Sequence, residues 1–266
     1  MTETSDAATP LVRYDVVGGV ATLTMDSDAN RNALSRRLIS EMLAGLRRAM
    51  AEDTVRAVLI DHVGRVFCSG ADLAETAAAR ATGEVPAGAM PELLAEIWDA
   101  PKPVVARVGG SARAGGLGLI AACDLAVADE AATFAFTEVR LGVIPAVISA
   151  PVLRRLPARA ASELYLTGEV FDGHRAAQLG LVTTAVPADE VTATVERYLA
   201  ALLRGAPEAL AGAKGLLHRQ PLDPIRADLD ELAQLSVRYF QSDEGREGVA
   251  AFREKRNPAW VPTEAR

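Results

Sequence analysis

Three short stretches hold residues whose types and spacing could do chemistry together. The first is "VFCSGADL", residues 66–73, a buried-looking strand that runs through Ser-Gly-Ala-Asp into a helix start. Amides at a helix start lack intrahelical partners and favour negative charge, and Gly70-Ala71 lets a ligand approach the backbone closely. The second is "SARAGGLGLIAACD", residues 111–124, which again opens a helix after a core strand, at Gly115 and Gly116. Two such turns could aim their amides at one carbonyl oxygen and act as an oxyanion hole. The third is "FTEVRLGVIP", residues 136–145, where Glu138 precedes Leu141, Val143 and Ile144. A carboxyl in that apolar company is desolvated, which raises its pKa towards the range useful for moving protons. Each stretch also has a plainer reading. The first is a turn capped by Asp72, the second close helix–strand packing, and the third an ion pair from Glu138 to Arg140 or another arginine, or an acid at a helix start.

Other chemistries fit less well. Gly116-x-Gly118-x-x-Ala121, with Glu138 twenty residues beyond Gly118, matches the dinucleotide-binding fingerprint. The context opposes it, because the helix is short for a crossover and the next strand ends well before Glu138. Cys68 and Ser69 have no positioned base nearby and sit in no G-x-S-x-G, so packing and capping are their expected roles. His62, His174 and His218 are far apart, and the two cysteines, Cys68 and Cys123, form no zinc pattern, so no metal is expected.

The elements that position these stretches follow from pattern. "LVRYDVV" and "VATLTMD" flank Gly18-Gly19 and predict a β-hairpin. A polar loop, "SDANRNALS", leads to a helix with Ser35 as its N-cap. "VRAVLIDHV", "PVVARV", "DLAVA" and "TFAF" read as short strands, and "PELLAEIWDA" as a helix stopped by Pro101 and Pro103. Residues 76–90 carry Gly, Pro and Ala without period and read as a loop. After Pro145 the pattern turns helical, at 147–156, 158–166, 173–179, 189–204, 207–219 and a long last helix at 224–254, with "LVTTAV" as one interrupting strand. The chain of 266 residues is half hydrophobic and carries a net charge of −7 with scattered basic residues. That suits a full α/β core and argues against nucleic-acid binding. The polar N-terminus lacks the features of a signal peptide, and no apolar run is long enough to span a membrane. A reduced, cytoplasmic protein is the expectation.

Taken together, "FCSGADL", "GGSARAGGLGLIAACDLAVADEAATFAF" and "TEVRLGVIP" resemble the crotonase (enoyl-CoA hydratase/isomerase) superfamily in order and spacing, from the first hairpin to "AFREKRNPAW". The resemblance implies an α/β fold, a spiral of ββα units over residues 1–200. A helical C-terminal region, 201–266, would be used in trimer contacts, with trimers often paired into hexamers. It implies an acyl-CoA thioester as substrate, coenzyme A as part of that substrate, and no further cofactor. The family's oxyanion-hole amides fall on Ala71 and Gly115, and its proton-transfer acid on Glu138. Ala33 and Leu34 match a CoA-binding edge, Ser69, Asp72 and Leu73 would flank the pantetheine and adenine, and Gly116 adjoins the second amide. Phe252 and Lys255 match positions that reach the nucleotide, in some members from a neighbouring subunit.

One departure matters. The family's second glutamate falls on Gly118. Hydration of a 2-enoyl-CoA divides naturally between two carboxyls, yet one could serve in sequence. The reading is therefore a hydratase-type lyase of lipid or fatty-acid metabolism, on a branched or carboxylated enoyl-CoA whose carboxylate Arg113 or Arg140 could meet. A Δ3,Δ2-enoyl-CoA isomerase with one acid, thioester hydrolysis or decarboxylation, and a non-catalytic acyl-CoA-binding protein remain alternatives.

Overall fold

The computed structural model describes residues 9–72, 74, 75, 78, 89–219 and 225–262. The predicted hairpin forms from β1 (Val12–Val17) and β2 (Val20–Met25), paired antiparallel from Val12↔Met25 to Val17↔Val20. Gly18 and Gly19 stand at φ 57° and 87°, the positive values that a two-residue hairpin turn requires. Helix α1 (Arg36–Ala51) follows, and the Ser35 hydroxyl accepts the Leu38 amide at 3.2 Å as its N-cap.

From β2 onward the chain builds two sheets at once. Strands β3 (Ala57–His62), β5 (Val104–Val108), β7 (Leu125–Asp129) and β10 (Thr184–Val186) extend the hairpin into a six-stranded sheet, order β1-β2-β3-β5-β7-β10, parallel after β1. The strands β4 (Val66–Cys68), β6 (Ser111–Arg113), β8 (Thr133–Ala135) and β9 (Phe171–Asp172) form a second sheet in that order. Each of β3, β5 and β7 is thus followed directly by a strand of the second sheet, β4, β6 and β8. The repeat advances one position per turn, which is the ββα spiral the resemblance implies.

Both faces of the large sheet are covered, as a parallel sheet needs. On one side lie α1, α2 (Met90–Asp99) and α3 (Gly115–Ala122), within a core that includes Leu23, Leu38, Phe67, Leu93, Leu117 and Phe134. Burying each such aliphatic or aromatic side chain contributes about 1.5–3 kcal/mol. On the other side α7 (Val191–Leu203) lays Val191, Val195 and Leu199 over Ala57, Val105 and Val127. Between them come the short α4 (Ser149–Val152), α5 (Ala158–Thr167) and α6 (Gly173–Gln178). The chain ends in α8 (Pro207–His218), α9 (Ile225–Gln241) and α10 (Asp243–Glu254). Helix α7 runs across residue 200 without a break.

The structure corrects several expectations. The helix predicted at 147–156 exists only as α4, and residues 153–155 turn instead. The long last helix is two helices, because the Ser242 hydroxyl accepts the Gly245 amide at 3.0 Å and caps a fresh start at Asp243 and Glu244. Strands β6 and β9 were not foreseen. The loop expected at 76–90 lies almost wholly outside the described residues. No helix among the described residues is long and apolar enough to cross a membrane.

The helical tail is fastened to the spiral at named points. Lys214 of α8, 7% exposed, donates to Asp124 at 2.8 Å and to the Ile97 carbonyl at 3.1 Å. Arg56 donates to the carbonyls of Gly205 at 2.6 Å and Trp260 at 2.8 Å. Removing one partner of a buried pair leaves the other charge uncompensated. Lys214→Ala is therefore expected to cost about 3–5 kcal/mol in urea unfolding, and a loss below roughly 0.5 kcal/mol would show the pair is not holding the tail.

Candidate active site

Three turns leave the C-terminal ends of β4, β6 and β8, which pair in parallel side by side. The geometry carries them to one place. A Cβ built on Gly70 would lie 3.2 Å from the Cβ of Ala114, so the first two turns touch. The Ala114 amide donates to the Ala135 carbonyl at 3.2 Å, which ties the second turn to the strand end three residues before Glu138.

The first turn is held from outside by the 28–35 loop. Asn32 is fully buried at φ 51°, accepts from the Ser27 amide, and donates to the carbonyls of Val63 and Val66. That anchor presents Leu34, which forms a parallel bridge with Ala71. The bridge uses the Gly70 carbonyl and the Leu34 amide at 2.8 Å, and the Asp72 amide and Leu34 carbonyl at 3.5 Å. The amide of Ala71 is left out of the pair and faces the other way, on an exposed residue. Gly70 at φ 95° supplies the reversal. Asp72 then caps the next helical segment by accepting the amides of Ala74 at 2.9 Å and Glu75 at 3.0 Å. It also accepts Asn30 Nδ2 at 2.8 Å, and these donors, led by the Glu75 amide, hold its carboxyl below the usual range.

The second turn opens α3 at Gly115, where the first helical amides have no partner within the helix. Ala114 stands at φ 47° and ψ −114°, a conformation that costs a non-glycine residue about 1–3 kcal/mol. Side chains are excluded here by contact. A Cβ on Gly115 would come 2.6 Å from Leu34 Cδ1, and one on Gly116 2.8 Å from Cys68 Cβ. Leu34 thus pairs with Ala71 through its backbone and covers Gly115 with its side chain.

The third turn is a 3-10 turn, Glu138–Leu141, closed by Gly142 at φ 71°. Glu138 is 9% exposed, and its Oε2 has no hydrogen-bond partner among the described residues. Burial raises its pKa. Tyr165, whose ring meets Phe136 at a tilt with centroids 4.6 Å apart, has its phenol pKa raised, chiefly by burial, with the Ser149 hydrogen bond opposing and the nearby Glu138 charge adding to the rise. A buried carboxyl with an unpartnered oxygen is suited to taking up and returning a proton, and amides without partners at a turn are suited to polarising an oxygen.

The alternative ion pair between Glu138 and Arg140 does not form, since Arg140 donates to the Thr167 carbonyl at 3.2 Å, while Glu138 does open its 3-10 turn as an acid at a helix start. Arg113 likewise turns back along the sheet to the Thr133 carbonyl and hydroxyl. Neither arginine is presented to the three turns. Cys68 is fully buried and its thiol is pushed up to about 12 by desolvation, so it is a packing residue. Ser69 donates its amide to the Arg31 carbonyl at 3.1 Å. Ala33 and Leu34 are buried rather than open to a ligand. Leu73 lies outside the described residues. Phe252, 86% exposed, and Lys255, exposed too, sit at the end of α10, and the structure does not bring them to the three turns. Sequence reasoning missed Asn32, the positive φ of Ala114, Tyr165, and Ile148, whose side chain packs against Gly118. Among these only Asn32 had a signal, an asparagine in a tight polar loop.

Comparisons with known proteins identify the family and the fold. The family model described as enoyl-CoA hydratase/isomerase matches residues 15–263. The 2,3-dehydroadipyl-CoA hydratase of Escherichia coli K12 is 30% identical over 240 residues, 90% of this chain and 94% of that protein. The structure of Pseudomonas aeruginosa AtuE superposes with a TM-score of 0.88 at 35% identity, covering 95% of this chain and 100% of that one. An enoyl-CoA hydratase from Mycobacterium avium is 42% identical with a TM-score of 0.71, covering 95% and 99%.

The raised pKa of Glu138 has a stability consequence. The folded state holds the proton more tightly than the unfolded chain, so stability falls as pH rises from the ordinary value of 4.5 through the folded pKa. Glu138→Gln should therefore melt above wild type at about pH 8, with the gap closing below about pH 4. A variant that melts lower than wild type across that range would contradict the buried, unpaired carboxylate.

Proposed function

The chain belongs to the enoyl-CoA hydratase/isomerase family, and on that premise we propose that it is a hydratase-type lyase that adds water across the 2,3 double bond of an enoyl-CoA. The observation that supports this reading is the linkage of the three turns that carry Ala71, Gly115 and the buried Glu138, and the reading takes the two amides and the carboxyl to act on one thioester. In the proposed mechanism those two amides donate to the thioester oxygen, and each such donor contributes roughly 10²–10³ in rate. The Glu138 carboxylate takes a proton from water as the water oxygen bonds to C3. The π electrons of the C2–C3 bond move onto the thioester as an enolate. Glu138 then returns its proton to C2, and coenzyme A stays attached throughout. No metal or further cofactor takes part.

Around this centre Ser69 and Asp72 line the path for the pantetheine and adenine, and the buried Ala33, Leu34 and Gly116 shape it from behind. Phe252 and Lys255 meet the nucleotide from the end of α10, Lys255 supplying a cation for phosphate, either in the same chain or from a neighbouring copy. The helical region beyond residue 200 makes a homotrimer, or a hexamer of two trimers, and the protein works in the cytoplasm. The acyl group is a branched or carboxylated one, and Arg113 and Arg140, engaged with Thr133 and Thr167, are not the residues that would meet a carboxylate.

A second reading, a Δ3,Δ2-enoyl-CoA isomerase, is favoured by Gly118, since moving one proton from C4 to C2 or back needs one carboxyl alone. Purified protein given a panel of 2-enoyl-CoAs should discharge their conjugated absorbance and give products heavier by one water. Appearance of that absorbance from 3-enoyl-CoAs, with no gain in mass, would establish the isomerase instead. Glu138→Gln should lower kcat by about 10²–10⁴ while leaving acyl-CoA affinity within a few-fold. Turnover equal to wild type would remove Glu138 from the mechanism.

A further inference from the structure

Helix α3 carries Gly118 three residues beyond Gly115, on the same helix face and about 4.5 Å further along the axis. A side chain at 118 would therefore stand over the point that the Gly115 amide addresses. The space is taken: a Cβ on Gly118 would come 2.5 Å from Ile148 Cγ2 and 2.9 Å from Ile148 Cβ. The backbone at 118 is an ordinary helix, so the obstacle is the neighbour and not the glycine's conformation. Ile148 itself is only 4% exposed and belongs to the core. It precedes Ser149, whose hydroxyl accompanies the Tyr165 phenol at 3.4 Å and donates to the Pro145 carbonyl at 2.7 Å. The same segment, 145–149, thus faces Gly118 on one side and the surroundings of Glu138 on the other.

We propose that Ile148 is a specificity-determining residue: by filling the volume beside Gly118 it denies the site a second carboxyl and leaves Glu138 to move every proton. This deepens the proposed hydration reading and rests on it. It makes the wall next to Gly118 apolar, so that among the described residues the proton work falls to the carboxyl already there, Glu138. The residues at 118 and 148 are a coupled pair, and neither can be changed to an acid-bearing arrangement alone.

The test has a stability arm and a kinetic arm. In the stability arm, Gly118→Ala is expected to lower Tm by about 3–10 °C, although alanine is the better helix former, because overpacking a filled core is costly. The same change made in an Ile148→Gly background, which removes both Cγ2 and Cβ and leaves the Ile148 Cα 3.6 Å away, is expected to cost nothing or to raise Tm relative to that background. Gly118→Ala that is neutral or stabilising with Ile148 present overturns the proposal, whatever the enzyme turns over. In the kinetic arm, kcat/KM for crotonyl-CoA hydration is followed against pH. Wild type and Ile148→Gly should show one acidic limb, from Glu138. Gly118→Glu combined with Ile148→Gly should add an alkaline limb and give a bell, since one of two carboxyls must then be protonated. A folded double variant that keeps the single limb overturns the proposal, because position 118 would then not reach the reacting atoms. Should the double variant not fold, the melting temperatures of Gly118→Ala in the wild-type and Ile148→Gly backgrounds decide the matter. Absence of hydration in wild type would remove the function reading while the stability arm still decides the role of Ile148.

Discussion

Parallel pairing of three very short strands, β4, β6 and β8, is the constraint on which the rest of the site depends. Each strand is three residues long, and none would persist by itself. They hold because each is the continuation of a longer strand, β3, β5 or β7, locked into the six-stranded sheet. Side-by-side parallel strands end at the same edge, so the turns after them are neighbours by topology. That is how residues 71, 115 and 138, far apart in the chain, come to share one corner. The Gly70–Ala114 contact and the Ala114–Ala135 hydrogen bond record that convergence directly.

The corner is built from local costs that the surrounding core offsets. Ala114 is strained, Gly115 and Gly116 forgo side chains so that α3 can press on Leu34 and Cys68, and Glu138 is buried with one oxygen unpartnered. Such features are unfavourable for folding and useful for chemistry. An amide without a partner is a ready donor, and a desolvated carboxyl is easy to protonate. The Asn32 anchor shows the same division of labour. A fully buried polar side chain with all its bonds satisfied rigidifies a loop, and that loop in turn fixes the Ala71 amide.

Much of this was legible in the sequence, and what was not has physical reasons. The hairpin at Gly18-Gly19 and the cap at Ser35 are local signals, and both elements formed where the residues placed them. The two glycine-bearing turns and Glu138 were legible as candidates. Strands β6 and β9 were not, since two or three residues carry no alternation to detect. The start of α10 was hidden because helical periodicity continues through Ser242 and masks its cap. The Arg140 reading failed because proximity in sequence does not set direction: the 3-10 turn sends Arg140 to Thr167 and Glu138 inward. The contact between Gly118 and Ile148 joins residues thirty apart. No local pattern reports what fills the space beside a glycine.

Catalysis at this corner requires two backbone amides to meet one oxygen next to one carboxyl. The most direct measurement is a crystal structure of the protein with butyryl-CoA, a saturated thioester that cannot be hydrated. The thioester oxygen should lie within about 3.1 Å of both the Ala71 and Gly115 nitrogens, with a Glu138 carboxyl oxygen facing C2. A thioester oxygen that contacts neither amide, or an acyl group bound away from Glu138, would contradict it.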